Sequence, residues 1–173
     1  MRKKSWSLGL LFLLVAAGLF FVKEYTMLLD FKSSAETVNK TYEFEKDFSD
    51  TKKLVEGVDL IFIGEVLEEK GRGSHAGNPA TFFEVRVTQN IKGALLGGIT
   101  VIQGGGYYKE GGKLYLLKYE NDELLRKGQM YLFAVQEIGD GMYWSMPKYG
   151  HTAIHTEEQK YDLIDGIRGV LGE

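Results

Sequence analysis

Three histidines, His75, His151 and His155, are the side chains in this chain best suited to metal or acid–base chemistry. His151 and His155 stand four apart, a spacing that can chelate a metal from one helical turn. No His-Glu-x-x-His pattern accompanies them. Thr152, Ala153 and Ile154 between them suit a strand, where the two imidazoles would share a face ~13 Å apart. The expectation is no metal and no cofactor, with His151 and His155 as the residues to watch. A serine nucleophile lacks its setting: there is no Gly-x-Ser-x-Gly elbow, and Ser74 and His75 are loop neighbours without a placed acid. Glu68 with Glu69, Glu157 with Glu158, and Asp162 with Asp165 read as solvated faces, whereas glycosidase chemistry needs two carboxyls across a cleft.

Other groups suit binding better than catalysis. Glycines 104–106, 111 and 112 surround Tyr107 and Tyr108. Backbone N–H groups of such a run can cradle an anion, but the lysine and helix start of a phosphate-binding loop are missing. A loop or hairpin tip is the simpler reading. Aromatics concentrate in the second half of the chain, and Tyr107, Tyr108, Tyr143 and Trp144 are the binding candidates. Flat amphipathic rings give contact area at low entropic cost, although most rings in a small β domain fill its core.

These residues need a scaffold, and composition points to strands. Among 173 residues, 13 % are aromatic and 22 are glycine, which favours short strands joined by tight turns. Cysteine is absent, so disulfides, thiolate metal sites and lipid attachment through an N-terminal cysteine are excluded. Residues 1–23 hold Arg2, Lys3, Lys4 and Lys23 and no acid. The remainder then carries 17 basic against 24 acidic side chains, a net of about −7. An acidic domain repels a phosphate backbone, so nucleic acid is not an expected partner.

Ser5 to Val22 is an uncharged stretch that spans roughly 27 Å as a helix, close to the ~30 Å of a bilayer core. Cleavage after Val15-Ala16-Ala17 would leave an apolar end, so an uncleaved anchor is expected, with the lipid bilayer as partner of residues 5–22. The positive charges ahead of it keep the N-terminus cytoplasmic and put the rest outside. The expected organisation is an anchor over 1–23, a juxtamembrane spacer over 24–47 and an extracytoplasmic domain over 48–173.

Within that domain, Ser49 or Asp50 caps a short helix bearing Leu54 and Val55, and Gly57 suits a left-handed stop. A strand from Val58 to Leu67 follows, with Gly64 marking a bulge. Residues 71–79 read as a loop. Phe83, Val85 and Val87 alternate with Glu84, Arg86 and Thr88 in the next strand. Further strands are expected at 99–103, 113–119, 129–135 and 142–146. Thr156 with Gln159 opens a C-terminal helix whose apolar positions are Tyr161, Ile164, Ile167 and Leu171. The fold class is mainly β: a small five- to six-stranded barrel with a short helix before it and a C-terminal helix, plus one N-terminal transmembrane helix. A two-sheet sandwich is the competing architecture.

The run from Leu54 to Val66 resembles the opening of a family of small, largely uncharacterised bacterial surface proteins. The later segments Phe83 to Val87, Ile91-Lys92-Gly93, Ile99 to Val101 and Leu125 to Phe133 resemble it in the same order. More distantly, residues 49–136 are similar to the netrin-like domain of tissue inhibitors of metalloproteinases. The resemblance implies a barrel of the oligonucleotide/oligosaccharide-binding type. Its motifs are turn glycines and strand alternation, and the cysteines through which those inhibitors act have no counterpart, so inhibition is not implied. The expected function is a membrane-anchored, non-catalytic binding module that meets an envelope protein or polymer. The alternative is an extracytoplasmic hydrolase or metal-dependent enzyme using His151, His155 and nearby carboxylates.

Overall fold

A computed structural model of the chain describes residues 34–42 and 48–172. The anchor expected over 1–23, including 5–22, lies outside the described residues, as do residues 24–33 and 43–47 of the expected spacer. Among the described residues no helix is long and apolar enough to cross a membrane. Among the described residues two units are distinguished, residues 37–42, 48–108 and 115–172 in one and residues 34–36 and 109–114 in the other. The sites below belong to the first; in the second, Gly111 and Gly112 form a turn between two strand ends, with positive φ of 55° and 80°.

Helix α1 (Thr51–Gly57) begins at Asp50, whose carboxylate accepts from the Lys52 and Lys53 N–H groups at 2.8 and 3.2 Å. Its end differs from expectation. Gly57 stays helical, and the chain leaves through extended Val58. The last carbonyls are satisfied by a cation: Lys92 Nζ donates to Val55 O at 2.7 Å and to Val58 O at 2.5 Å. Glycine is needed at 57 because a side chain there would meet the Phe48 ring.

Strands β2 (Leu60–His75) and β3 (Asn78–Lys92) form a long hairpin. Ala76 and Gly77 turn it with φ of 48° and 78°. The expected loop over 71–79 is therefore mostly strand: Arg72 pairs with Thr81 and Gly73 with Ala80. Gly73 misled because it serves packing; a Cβ there would sit 2.8 Å from the Phe82 ring. The expected irregularity at Gly64 is present as a register shift between Ile63 and Gly64.

Next come β4 (Gly98–Gly104), β5 (Gly106–Glu110), β6 (Lys113–Tyr119), β7 (Met130–Gly139), β8 (Met142–Ser145), β9 (His151–Ile154) and helix α2 (Glu157–Leu171). The larger sheet has the order β2-β3-β4-β8-β7-β9, and β2 also pairs with β7. The ladders β2-β3-β4-β8-β7 thus return to β2. All are antiparallel except β4 with β8. The circuit is uneven: β2 and β3 pair along most of their length, whereas β4 meets β8 only from Thr100 to Ile102. A smaller sheet has the order β1-β6-β5, where β1 is Glu36–Lys40. Five residues of the segment expected to be spacer are therefore strand. Tyr107 and Tyr108 lie within β5, not at the hairpin tip.

Two cores explain the buried runs. Phe62, Val66, Phe83, Val85, Val101, Phe133, Val135 and Tyr143 fill one face of the large sheet. Ile61, Ile63, Leu132 and Ala134 point the other way, against Val55 of α1 and Ile164 and Ile167 of α2. Both faces of β2 and β7 are covered, so their apolar residues run consecutively instead of alternating. The Thr156 hydroxyl caps α2 by accepting from Gln159 N–H at 3.1 Å, and the left-handed residue after the helix is Gly172. Tyr161, expected on the buried stripe, is exposed.

Candidate functional site

Alternation decides which residues the large sheet turns outward. Phe83, Val101 and Tyr143 face the core, so their neighbours Phe82, Ile102 and Trp144 face away from it. Register then aligns these three: Phe82 pairs with Ile102, and Ile102 with Trp144. The result is an apolar row across β3, β4 and β8. Phe82 and Trp144 are half-buried, and Ile102 between them is buried. His75, at the end of β2, stacks on the Trp144 indole with centroids 4.1 Å apart. Gly104 makes room for this cluster; a Cβ there would lie within 3.3 Å of Trp144, Tyr119 and the Tyr42 hydroxyl. Tyr42 and Tyr119 pack with centroids 4.1 Å apart. Burial pushes the Tyr42 hydroxyl pKa up, and its hydrogen bond to Tyr119 and the Asp122 charge push it further. Along the row, Glu84 and Thr100 supply polar groups on the same face.

Of the four aromatic candidates, then, Trp144 belongs to this surface, and Tyr143 is buried in the core. Tyr107 lies under the Arg72 guanidinium, 5.0 Å from its ring centroid, and Tyr108 stacks on Tyr115 at 5.4 Å. Phe82 and His75 were missed as members of the surface. Strict alternation in β3 already turned Phe82 outward, and this was the available signal.

The histidine candidates lead to a different place. His151 lies on β9 and His155 follows the strand, and both line a recess of about 360 Å³ with Arg126, Gln129, Tyr131 and Ala153. A second recess of about 550 Å³ borders Lys118, Tyr119 and Leu125. The loop over 121–126 walls both. It is held from below by buried Gln103, whose Nε2 donates to Asp122 Oδ1 at 2.8 Å and to Glu123 O at 2.9 Å. Gln103 Oε1 accepts from Leu125 N–H at 2.9 Å. Asp122 also accepts from Lys148 N–H, and the Tyr131 hydroxyl accepts from Arg126 N–H, both at 3.0 Å.

His151 completes this network. Its Nε2 lies 3.1 Å from Glu123 O and 3.5 Å from Asp122 Oδ1, and its Nδ1 lies 3.4 Å from Ser145 Oγ. A neutral ring with hydrogen on Nε2 fits: it donates to the carbonyl and accepts from the serine. Burial lowers the His151 pKa, opposed by the Asp122 charge and the Glu123 carbonyl. Ser145, His151 and Asp122 thus form a serine–histidine–aspartate chain. Ser145 is only 1 % exposed, so its hydroxyl is closed off from solvent in this structure. His151 is spent on loop anchoring, and no cluster of three metal-ligating side chains occurs among the described residues.

No protein-family profile and no curated protein matches the chain.

Proposed function

We propose that the chain is a membrane-anchored, non-catalytic binding module on the outer side of a bacterial cytoplasmic membrane, built on a barrel of the oligonucleotide/oligosaccharide-binding type. The strand circuit β2-β3-β4-β8-β7, with its one parallel contact, supports that barrel. In such barrels the ligand face is formed by the second and third strands, here β3 and β4. The row of Phe82, Ile102 and Trp144 crosses those strands, and it is the observation that carries the proposal. The row leaves two large aromatics, Phe82 and Trp144, partly exposed on either side of buried Ile102, and partly exposed aromatics are the surface that binding uses. The net acidity beyond residue 23 disfavours nucleic acid, leaving the glycan polymers of the envelope as the preferred ligand class, with Glu84 and Thr100 placed to meet hydroxyls.

The test is co-sedimentation of the detergent-solubilised full chain with purified cell-wall polymer. Replacing Phe82 by Ser and Trp144 by Ala should abolish sedimentation with the fold unchanged. Equal sedimentation of the variant, or none by the parent, rejects the row as the binding face. The enzymatic alternative was expected to use His151, His155 and nearby carboxylates; in the structure the groups next to His151 are Asp122 and Ser145. It would require an ester or amide hydrolysis that Ser145→Ala removes, and burial of that serine argues against it.

A further inference from the structure

We propose that the recess beside β9 binds one neutral sugar unit of an envelope glycan. The inference rests on the ligand class proposed above, but not on the row of Phe82, Ile102 and Trp144. That row faces outward, whereas Tyr131 and Ala153, which line the recess, pack with the barrel core. The recess therefore opens at an end of the barrel interior, where small ligands commonly sit in such folds. Its volume of about 360 Å³ falls within the ~300–1,000 Å³ of small-molecule sites.

The first argument is the set of polar groups that remain once the surrounding chain is anchored. The Tyr131 hydroxyl accepts from Arg126 N–H at 3.0 Å, which leaves its own O–H to donate. Burial pushes its pKa up, so that proton stays in place. Gln129 Nε2 donates to Met130 O at 3.1 Å and to Ile154 O at 2.7 Å, which leaves Oε1 to accept. His155 is fixed through its backbone, whose N–H donates to Gln159 Oε1 at 2.9 Å, while its imidazole borders the recess on an exposed residue. Donors and acceptors thus meet around one recess. Hydroxyl groups match that mixture, since each can both donate and accept.

Charge is the second argument. Arg126 Nη2 lies 2.6 Å from Glu123 Oε2, which leaves the other guanidinium N–H groups to donate, and both residues line the recess. Behind them, Asp122 Oδ1 stands 3.5 Å from His151 Nε2. The cation is matched, so a phosphate or carboxylate gains no net field there, and an amine meets a carboxylate already paired. A neutral ligand fits. Leu124 and Ala153 add apolar wall for the C–H groups of a sugar ring. The walls are also held in shape before any ligand arrives. Gln103 and His151 fix the loop over 121–126, and Gln129 O accepts from Val66 N–H at 3.1 Å.

The probe is N-acetylglucosamine, titrated into the detergent-solubilised full chain and followed by the side-chain resonances of Gln129, His155, Phe82 and Trp144. Gln129 and His155 should shift with a dissociation constant in the millimolar range, where a few neutral hydrogen bonds place a single sugar. Their shifts should persist in the variant Phe82→Ser with Trp144→Ala. His155→Ala and Arg126→Ala should each weaken binding about fivefold, for one lost hydrogen bond apiece. Both spare the fold, because the backbone bonds to Gln159 and Tyr131 remain. Binding equal to the parent in both variants overturns the site. Shifts confined to Phe82 and Trp144 overturn it too, and leave the row standing. Inorganic phosphate or glycine moving the same resonances in place of the sugar overturns the neutral ligand class. No shift at any of the four overturns the recess, while polymer sedimentation still decides the row.

Discussion

Replacing Gln103 by Met tests whether the loop over 121–126 is held by a buried polar clamp. Methionine has nearly the same length and volume, so packing changes little, but it makes none of the three hydrogen bonds. Glu123 O and Leu125 N–H each lose a partner, at about 1–2 kcal/mol apiece, and the Asp122 carboxylate loses one charge-assisted bond, at about 1.5–3 kcal/mol. That total is an upper bound, because Asp122 keeps its bond from Lys148 N–H and water can enter beneath a surface loop. The expected loss is about 3 kcal/mol. The assay is urea unfolding of the detergent-solubilised chain, with amide exchange read at Leu125. Exchange there should accelerate by at least about a hundredfold, and more than exchange in β2. A midpoint within about 0.5 kcal/mol of the parent, with Leu125 still protected, would refute the clamp.

Other substitutions read other features. Lys92→Met should cost about 2 kcal/mol in thermal or urea unfolding, because two carbonyls at the end of α1 lose a charged donor. Gly105→Ala should cost more than about 2 kcal/mol, since φ is 92° and the new Cβ would lie 2.8 Å from Leu117 O; unchanged stability would contradict the backbone described there. His151 has a pKa lowered on folding, so the unfolded chain binds its proton more readily. Its contribution is complete above the ordinary histidine value of about 6.5 and is lost as pH falls from there through its folded value. Urea midpoints at pH 8 and 5 should therefore differ more for the parent than for His151→Gln, and an identical difference would remove His151 from the linkage.

Much of the scaffold was legible because local chemistry agreed with it. Thr156 is a side-chain cap in sequence as in structure, Asp50 is the one of Ser49 and Asp50 that caps the first helix, and the alternation around Phe83, Val85 and Val87 gives both strand and inward face. Gly64 marks a true register shift. Where glycine served tertiary packing, the reading failed. Gly71 and Gly73 looked like loop, yet the latter makes space for a ring on the neighbouring strand. Gly57 looked like a left-handed stop, yet a lysine 35 residues further on closes the helix instead. The site was harder still. Trp144 could be nominated by type, but its alignment with Phe82 and Ile102 depends on register between three strands, including a parallel contact with no local signature. The roles of Gln103 and Asp122 were invisible for the same reason: a buried amide looks like any surface glutamine until its partners arrive from a distant loop.

The strand circuit also sets a timetable for biosynthesis. β2 is made early, but its second neighbour spans residues 130–139, and β4 waits for residues 142–145. Until then, a nascent chain exposes unpaired backbone on the flanks of two strands already rich in valine and isoleucine, the condition under which chains add to one another. Ribosome-stalled chains with residue 140 outside the tunnel should thus be protease-sensitive, and those with residue 172 outside should resist. Early resistance would mean that the hairpin of β2 and β3 protects itself before its later neighbours emerge.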